Sequence, residues 1–189
     1  MKPKKITLGK TSLSEICRRI ASADVSPGGG TVSAISGALA AGLVVKVALF
    51  TKDKKSYQPI KNQIEELEKE AKKLINNFLD LADQDYLVYE EFSRNRDDEK
   101  KIEKAISVPL EIARGAADVF KMASFLAKKG NRNLVSDSRC ALELATAAFY
   151  GALEMVRVNL TLVKRSHFEA KTRKEIDQLL DRVEDLIKS

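Results

Sequence analysis

Counting along residues 60–92 in steps of four and three gives Ile60, Ile64, Leu67, Ala71, Leu74, Phe78, Leu81, Asp85, Val88 and Phe92. In this helical stripe one carboxylate stands where a hydrophobe belongs. A stripe with that period faces a core or a partner helix, so Asp85 is expected to point inward. Burial disfavours the charged form of a carboxyl group and raises its pKa, unless a cation or donated hydrogen bonds offset the effect. A carboxyl tuned in this way suits proton transfer. The same position also suits a structural aspartate that caps another helix or pairs with Arg or Lys. Asp83 falls off the stripe and reads as a solvated residue, or as one recruited by a site that opens beside Asp85.

A second segment carries residues of unusual cost. Ser26-Pro27-Gly28-Gly29-Gly30-Thr31 runs directly into a small-residue segment beginning Val32-Ser33-Ala34. Glycine loses the most backbone entropy on ordering, so a run of it marks a sharp turn or a close approach to the backbone. With a helix starting behind it, the glycine amides join the unpaired donors of the first turn and can face an anion or a ligand carbonyl. A plain linker before a helix is the alternative. Other chemistry is thin. The single histidine, His167, lies in the polar stretch Ser166-His167-Phe168-Glu169 without a nucleophile partner and reads as a surface or cap residue. The glycine run lacks the Lys-Ser/Thr ending of a P-loop, and no strand precedes it as a dinucleotide fingerprint requires. Cys17 and Cys140 are far apart, so no metal site is expected and the thiols read as reduced and cytosolic.

The elements that must position these residues read as helices throughout, with neither alternating strands nor hairpin turns. The expected fold is an all-α multihelical array with a long central helix, in one domain over residues 1–189. Ser12-Leu13-Ser14-Glu15 has capping-box spacing and opens a helix to about Ala23. The small-residue helix runs to about Thr51, a basic turn covers Lys52 to Tyr57, and a long helix runs from near Pro59 to about Phe92. The charged segment Ser93 to Glu99 separates it from a helix opening at Ser107-Val108-Pro109, since proline favours a first turn. That helix should stop at Gly130 in a left-handed cap. A polar loop, Asn131 to Asp137, precedes a helix from about Ser138 to Lys164, and Thr172-Arg173-Lys174-Glu175 offers a capping box for the last helix.

In the small-residue helix Ser33, Gly37 and Ala41 form one four-spaced row, and Ala34, Ala38 and Gly42 form the next. Such rows admit another backbone closely, inside the fold or at a subunit interface. The apolar run Val32 to Phe50 has the length of a membrane span, but Lys46 interrupts it, glycine and serine dilute it, and no second span follows. A buried helix of a soluble protein is the expectation. The basic start Met1-Lys2-Pro3-Lys4-Lys5-Ile6 has no apolar segment after it and reads as neither signal nor anchor, which leaves the cytoplasm as the default. The net charge of +6 suggests an anionic partner. Its lysines and arginines are interleaved with acids, and nucleic-acid motifs are missing, so nucleic acid is not the expected partner.

Taken in order, these motifs resemble the cyclodeaminase/cyclohydrolase proteins of folate one-carbon metabolism, which include the C-terminal domain of formiminotransferase-cyclodeaminase and free-standing bacterial proteins. The resemblance spans nearly the whole chain. It is carried by Pro27 to Val32, by Thr51, Lys54, Lys55 and Tyr57, by Asp83-Gln84-Asp85, and by Pro109-Leu110. The loop residues Gly130, Asn131, Asn133, Ser136 and Asp137 also carry it, followed by Gly151-Ala152 and Val158-Asn159. Glu154-Met155 departs from the bulky or amide residues usual before the late asparagine, and the chain shows no formiminotransferase domain.

The close-packing small-residue helix favours at least a homodimer, intertwined in form; the resemblance implies sites near subunit contacts and a tetrahydrofolate derivative as substrate with no further cofactor. Asp85 aligns with the aspartate taken as catalytic in the family. Pro27, Gly28, Gly29, Gly30, Thr31, Tyr57, Asn131, Asn133, Ser136 and Asp137 are the implied substrate-binding set. Lys54 and Lys55 would attract the carboxylates of a glutamate tail, including a polyglutamate one. The implied reaction is closure of 5-formimino-tetrahydrofolate to 5,10-methenyl-tetrahydrofolate with release of ammonia. Hydrolysis of the methenyl group is the chemically adjacent alternative. A non-catalytic folate binder and a helical interaction module, which would use the small-residue helix for self-association, are the remaining readings.

Overall fold

The computed structural model describes residues 7–94, 97–164 and 166–188. The basic start and part of the break between the third and fourth helices lie outside these residues. Six α-helices follow in order: α1 Leu13–Ile20, α2 Gly29–Lys52, α3 Lys61–Arg94, α4 Glu99–Lys129, α5 Val135–Leu160 and α6 Ser166–Lys188. A 3-10 turn at Leu8–Lys10 precedes α1, others at Lys55–Ile60 and Arg132–Leu134 join α2 to α3 and α4 to α5, and no strand occurs among the described residues.

The all-α reading holds, and the starts of three helices show what local signals do. Ser12 caps α1 as its spacing predicts, its hydroxyl accepting from the Glu15 amide at 3.3 Å. The helix stops at Ile20, short of Ala23. The helix expected to open at Pro109 instead begins at Glu99, capped by Asp98, whose Oδ1 accepts from the amides of Lys100 and Lys101 at 3.0 and 3.4 Å. Proline inside a helix leaves the carbonyl four residues earlier without its donor. Here that carbonyl is Ala105, and the Asn159 side chain of α5 supplies the donor instead, Nδ2 to O at 2.7 Å. Likewise Thr172 does not start the last helix. It lies inside α6, and its hydroxyl donates to the Phe168 carbonyl at 2.9 Å.

Gly130 ends α4 without a left-handed cap: its backbone is extended, φ −80° and ψ −170°. The α5 helix starts at Val135, so Ser136 and Asp137 belong to its first turn and not to a loop.

At the centre, α2 packs against α3, α5 and α4, and α4 in turn packs on α5 and α6. The stripe of α3 faces this core as its period predicts, and Phe78 is fully buried. Gly37, in the first small-residue row, leaves room for that ring. A Cβ at Gly37 would lie 2.6 Å from it, and one at Gly115 of α4 2.9 Å. Ser33, Ala34, Ala38 and Ala41 are also buried, whereas Gly42 has nothing within 4 Å of its Cβ direction. The α2 helix is long and apolar enough to cross a membrane, with a mean hydropathy of 2.0 over its best stretch, but 50% of that stretch is buried in the fold. Its remaining face is open and mostly apolar, with Val32, Leu39 and Phe50 at 38%, 56% and 58% exposure, and Lys46 stands on the same face.

Candidate active site

A 24-residue helix is about 36 Å long, and α2 holds sequence-predicted site residues at both of its ends. At the N-terminal end, α3 delivers Asp85 against the first turn of α2. The Thr31 hydroxyl donates to Asp85 Oδ2 at 2.8 Å, and the Thr31 backbone amide donates to the same carboxyl. Gly28, the N-cap, has no side chain to do this, so the carboxyl of a neighbouring helix satisfies a first-turn donor. The approach depends on glycine. A Cβ at Gly30 would overlap Asp85 Oδ1 outright and sit 2.6 Å from the carboxyl carbon. No glycine has positive φ, so at Gly30 it is close approach that the residue serves, whereas a Cβ at Gly28 would meet nothing within 4 Å.

Burial pushes the Asp85 pKa up from the ordinary carboxylate value, and the two Thr31 hydrogen bonds oppose the shift only in part. Asp85 therefore keeps its proton to a higher pH than a solvated aspartate does. It lines a cavity of about 230 Å³ together with Gly28, Gly29, Gly30, Tyr89 and Asn159. Pro27 and Thr31 are buried behind that wall. The amides of Gly29 and Gly30 stand in the first turn, where a helix has no internal acceptor. Asp83 is not a free surface residue: its Oδ1 accepts from the Leu8 amide at 2.6 Å and anchors the N-terminal 3-10 turn on α3.

The C-terminal end of α2 is a hydrogen-bonded bracket. The buried Thr51 hydroxyl accepts from the Asn131 amide at 3.1 Å, and Asn131 Nδ2 donates to the Phe50 carbonyl at 2.9 Å. Tyr57 joins it, its hydroxyl accepting from the Arg132 amide at 3.3 Å. Asn133 is exposed, with its amide held by Asn131 Oδ1 at 3.1 Å. Lys54, Lys55 and Ser136 are exposed, and Asp137 pairs with Lys46 Nζ at 2.9 Å. Within one chain, then, the structure brings Pro27 to Thr31 together with Asp85, and gathers the other predicted residues about one helix length away.

The formiminotransferase-cyclodeaminase family model matches residues 12–178, which includes both ends of α2 and the whole of α3, α4 and α5. The chain belongs to the formiminotransferase-cyclodeaminase family. It is 29% identical over 187 residues to the methenyltetrahydrofolate cyclohydrolase of Methylorubrum extorquens, covering 91% of this chain and 90% of that one. It is 24% identical to the formimidoyltransferase-cyclodeaminase of Rattus norvegicus, with 89% of this chain matched but only 34% of the rat protein. The crystal structure of formiminotetrahydrofolate cyclodeaminase from Thermotoga maritima superposes with a TM-score of 0.92 at 27% identity, covering 96% of this chain and 94% of that one.

The cavity of this family member also contains residues that motif spacing did not single out as site residues. Tyr89 follows the stripe member Val88, so its place beside Asp85 was available from helical geometry. Met155, whose sulfur lies 3.3 Å from the Cβ direction of Gly29, and Asn159 come from α5. The sequence did mark both, Asn159 in the late Val158-Asn159 pair and Met155 in the departure Glu154-Met155.

Proposed function

We propose that the chain is a folate one-carbon enzyme that converts 5-formimino-tetrahydrofolate to 5,10-methenyl-tetrahydrofolate and ammonia, with Asp85 as its proton carrier. The observation that carries the reading is a carboxyl on the wall of a cavity, beside first-turn amides, whose pKa burial raises. In the reaction the arylamine nitrogen attacks the formimino carbon and a carbon–nitrogen bond forms. The old carbon–nitrogen bond breaks only after the departing nitrogen gains a proton, because an amide anion does not leave. Starting from the protonated formimino group, whose nitrogen already carries two hydrogens, Asp85 donates the one further proton needed for departure as ammonia and takes the one released by the attacking nitrogen, so the carboxyl ends as it began. Gly28, Gly29 and Gly30 form the wall against which the reacting carbon is held, with Pro27 and Thr31 behind them. The substrate supplies all the reacting atoms, so the proposal includes no further cofactor.

The Methylorubrum extorquens relative, similar in length, favours a second reading: hydrolysis of the methenyl group. There the ionised form of Asp85 takes a proton from water as it attacks the same carbon. Absorbance separates the two. Methenyl-tetrahydrofolate appearing from 5-formimino-tetrahydrofolate with ammonia release supports the cyclodeaminase, and its loss above the spontaneous rate, without that formation, supports the cyclohydrolase. No change in either assay defeats both.

The proposal extends to a soluble, cytoplasmic homodimer. A cavity of about 230 Å³ is smaller than the roughly 300–1,000 Å³ of complete small-molecule sites, so it takes part of a folate and leaves the rest outside. The open face of α2 suits a second copy running antiparallel across it. A two-fold axis near the middle of α2 would lay the Lys54, Lys55, Tyr57, Asn131, Asn133, Ser136 and Asp137 end of one protomer beside the Asp85 end of the other. Leu39→Lys should then give monomers with weakened folate binding, and a chain already monomeric at assay concentration would refute the pairing.

A further inference from the structure

Pro109 and Asn159 lie 50 residues apart and share one carbonyl. Proline has no N–H, so the Ala105 carbonyl in the middle of α4 loses the donor that an ordinary helix supplies. Ala105 and Asn159 are both buried, at 5% and 8% exposure, so water cannot freely replace that donor. Asn159 Nδ2 replaces it at 2.7 Å. Because a carbonyl oxygen only accepts, this bond fixes which edge of the amide is which: the nitrogen faces α4 and Oδ1 faces away. Among the described residues Oδ1 accepts no hydrogen bond, yet it is not among the sealed, unpartnered polar atoms. Asn159 and Ala105 both line the Asp85 cavity, so that cavity is the space next to the amide edge that carries Oδ1.

We infer that Asn159 is a substrate-contacting residue whose Oδ1 accepts a hydrogen bond from the N–H or O–H group at the reacting one-carbon centre, and that the bond from its Nδ2 to the Ala105 carbonyl turns the amide to do so. This rests on the folate reading above. In the deaminating direction the donor is the departing amino group, and in the hydrolytic direction it is the attacking water. Asn159 then holds the group that Asp85 protonates or deprotonates. An acceptor suits this task because the bonded atom must keep a hydrogen directed away from Asp85.

The alternative, that Asn159 only repairs the gap left by proline, makes the opposite prediction for one pair of variants. Asn159→Ala alone leaves the buried Ala105 carbonyl unpaired and lowers the melting temperature. Pro109→Ala restores the backbone N–H to that carbonyl, so the Pro109→Ala/Asn159→Ala chain recovers the stability without the side-chain acceptor. The expected result is a double variant that melts no lower than Pro109→Ala but turns over folate about tenfold or more slowly, with the loss in kcat and not in KM. Pro109→Ala alone, whose carbonyl still has a lone pair for Asn159, should stay within a few-fold of the unmodified chain. A double variant as active as Pro109→Ala, or a Pro109→Ala chain that is itself inactive, overturns the inference while the folate reading stands. Absence of folate turnover in the unmodified chain overturns that reading and the inference with it.

Discussion

The two ends of α2 are built from similar materials and do different work. Each has a threonine at its heart, a tight turn beside it and a neighbouring element bonded to it. At the C-terminal end every polar group of Thr51 and Asn131 is committed: the Thr51 hydroxyl donates to the Val47 carbonyl at 2.6 Å while accepting from the Asn131 amide. At the N-terminal end the carboxyl of Asp85 is bonded only to Thr31 among the described residues, and it faces a cavity. One end spends its hydrogen bonds on holding the chain together, and the other keeps an acidic group available. A buried polar group with all partners in place is a structural feature; one left facing space, with a displaced pKa, is a chemical one.

The largest expected effect comes from filling the gap between Gly30 and Asp85. Gly30→Ala should reduce folate turnover by more than about a hundredfold, because a Cβ there displaces the carboxyl, and by circular dichroism the helical content should be retained. Gly9→Ala, whose added Cβ would make only ordinary contact with Leu79 at 3.8 Å, is the control and should leave turnover intact. At the other end Thr51→Val leaves the buried Asn131 amide without its acceptor and should cost about 1–3 kcal/mol of stability in denaturant unfolding. If Thr51→Val left stability unchanged while abolishing turnover, the division of labour between the ends would be wrong.

A smaller effect tests the protonation state. Because the folded-state pKa of Asp85 is raised, the native chain holds this proton more tightly than the unfolded chain. Stability should therefore fall as pH rises from near 3.9, the ordinary aspartate value, through the folded-state value. Asp85→Asn removes that dependence. Its melting temperature should match the unmodified chain in acid and equal or exceed it at neutral pH, which a scan of melting temperature against pH will read. The smallest effect belongs to Lys54 and Lys55. If they attract a glutamate tail, added salt should weaken a polyglutamylated folate more than the monoglutamate. Equal weakening would remove them from the site.

The sequence carried the helical class and the inward direction of Asp85 because both rest on periodicity within one element. The stripe from Ile60 to Phe92 needed no knowledge of what it packs against. The glycine run was legible as a place of close approach, though its partner, the Asp85 carboxyl, was not. Boundaries failed where a distant residue supplies what the local chain lacks. Pro109 reads as a helix start on local rules, and α4 passes through it because Asn159 of another helix satisfies the freed carbonyl. Gly130 reads as a left-handed cap, yet its amide bonds to Leu126 O at 2.8 Å in an extended conformation. A family resemblance grouped Asn131, Tyr57 and Lys54 with the glycines because their motifs recur together. Recurrence gives no distance, and α2 separates them in the single chain.

The most direct test of the account is a single-turnover measurement of methenyl-tetrahydrofolate formation and loss at saturating folate, comparing Asp85→Asn with the unmodified chain while folate binding is followed in parallel. The account predicts binding retained and the chemical step slowed by at least about a hundredfold. An Asp85→Asn chain that binds folate and reacts at the full rate would contradict it.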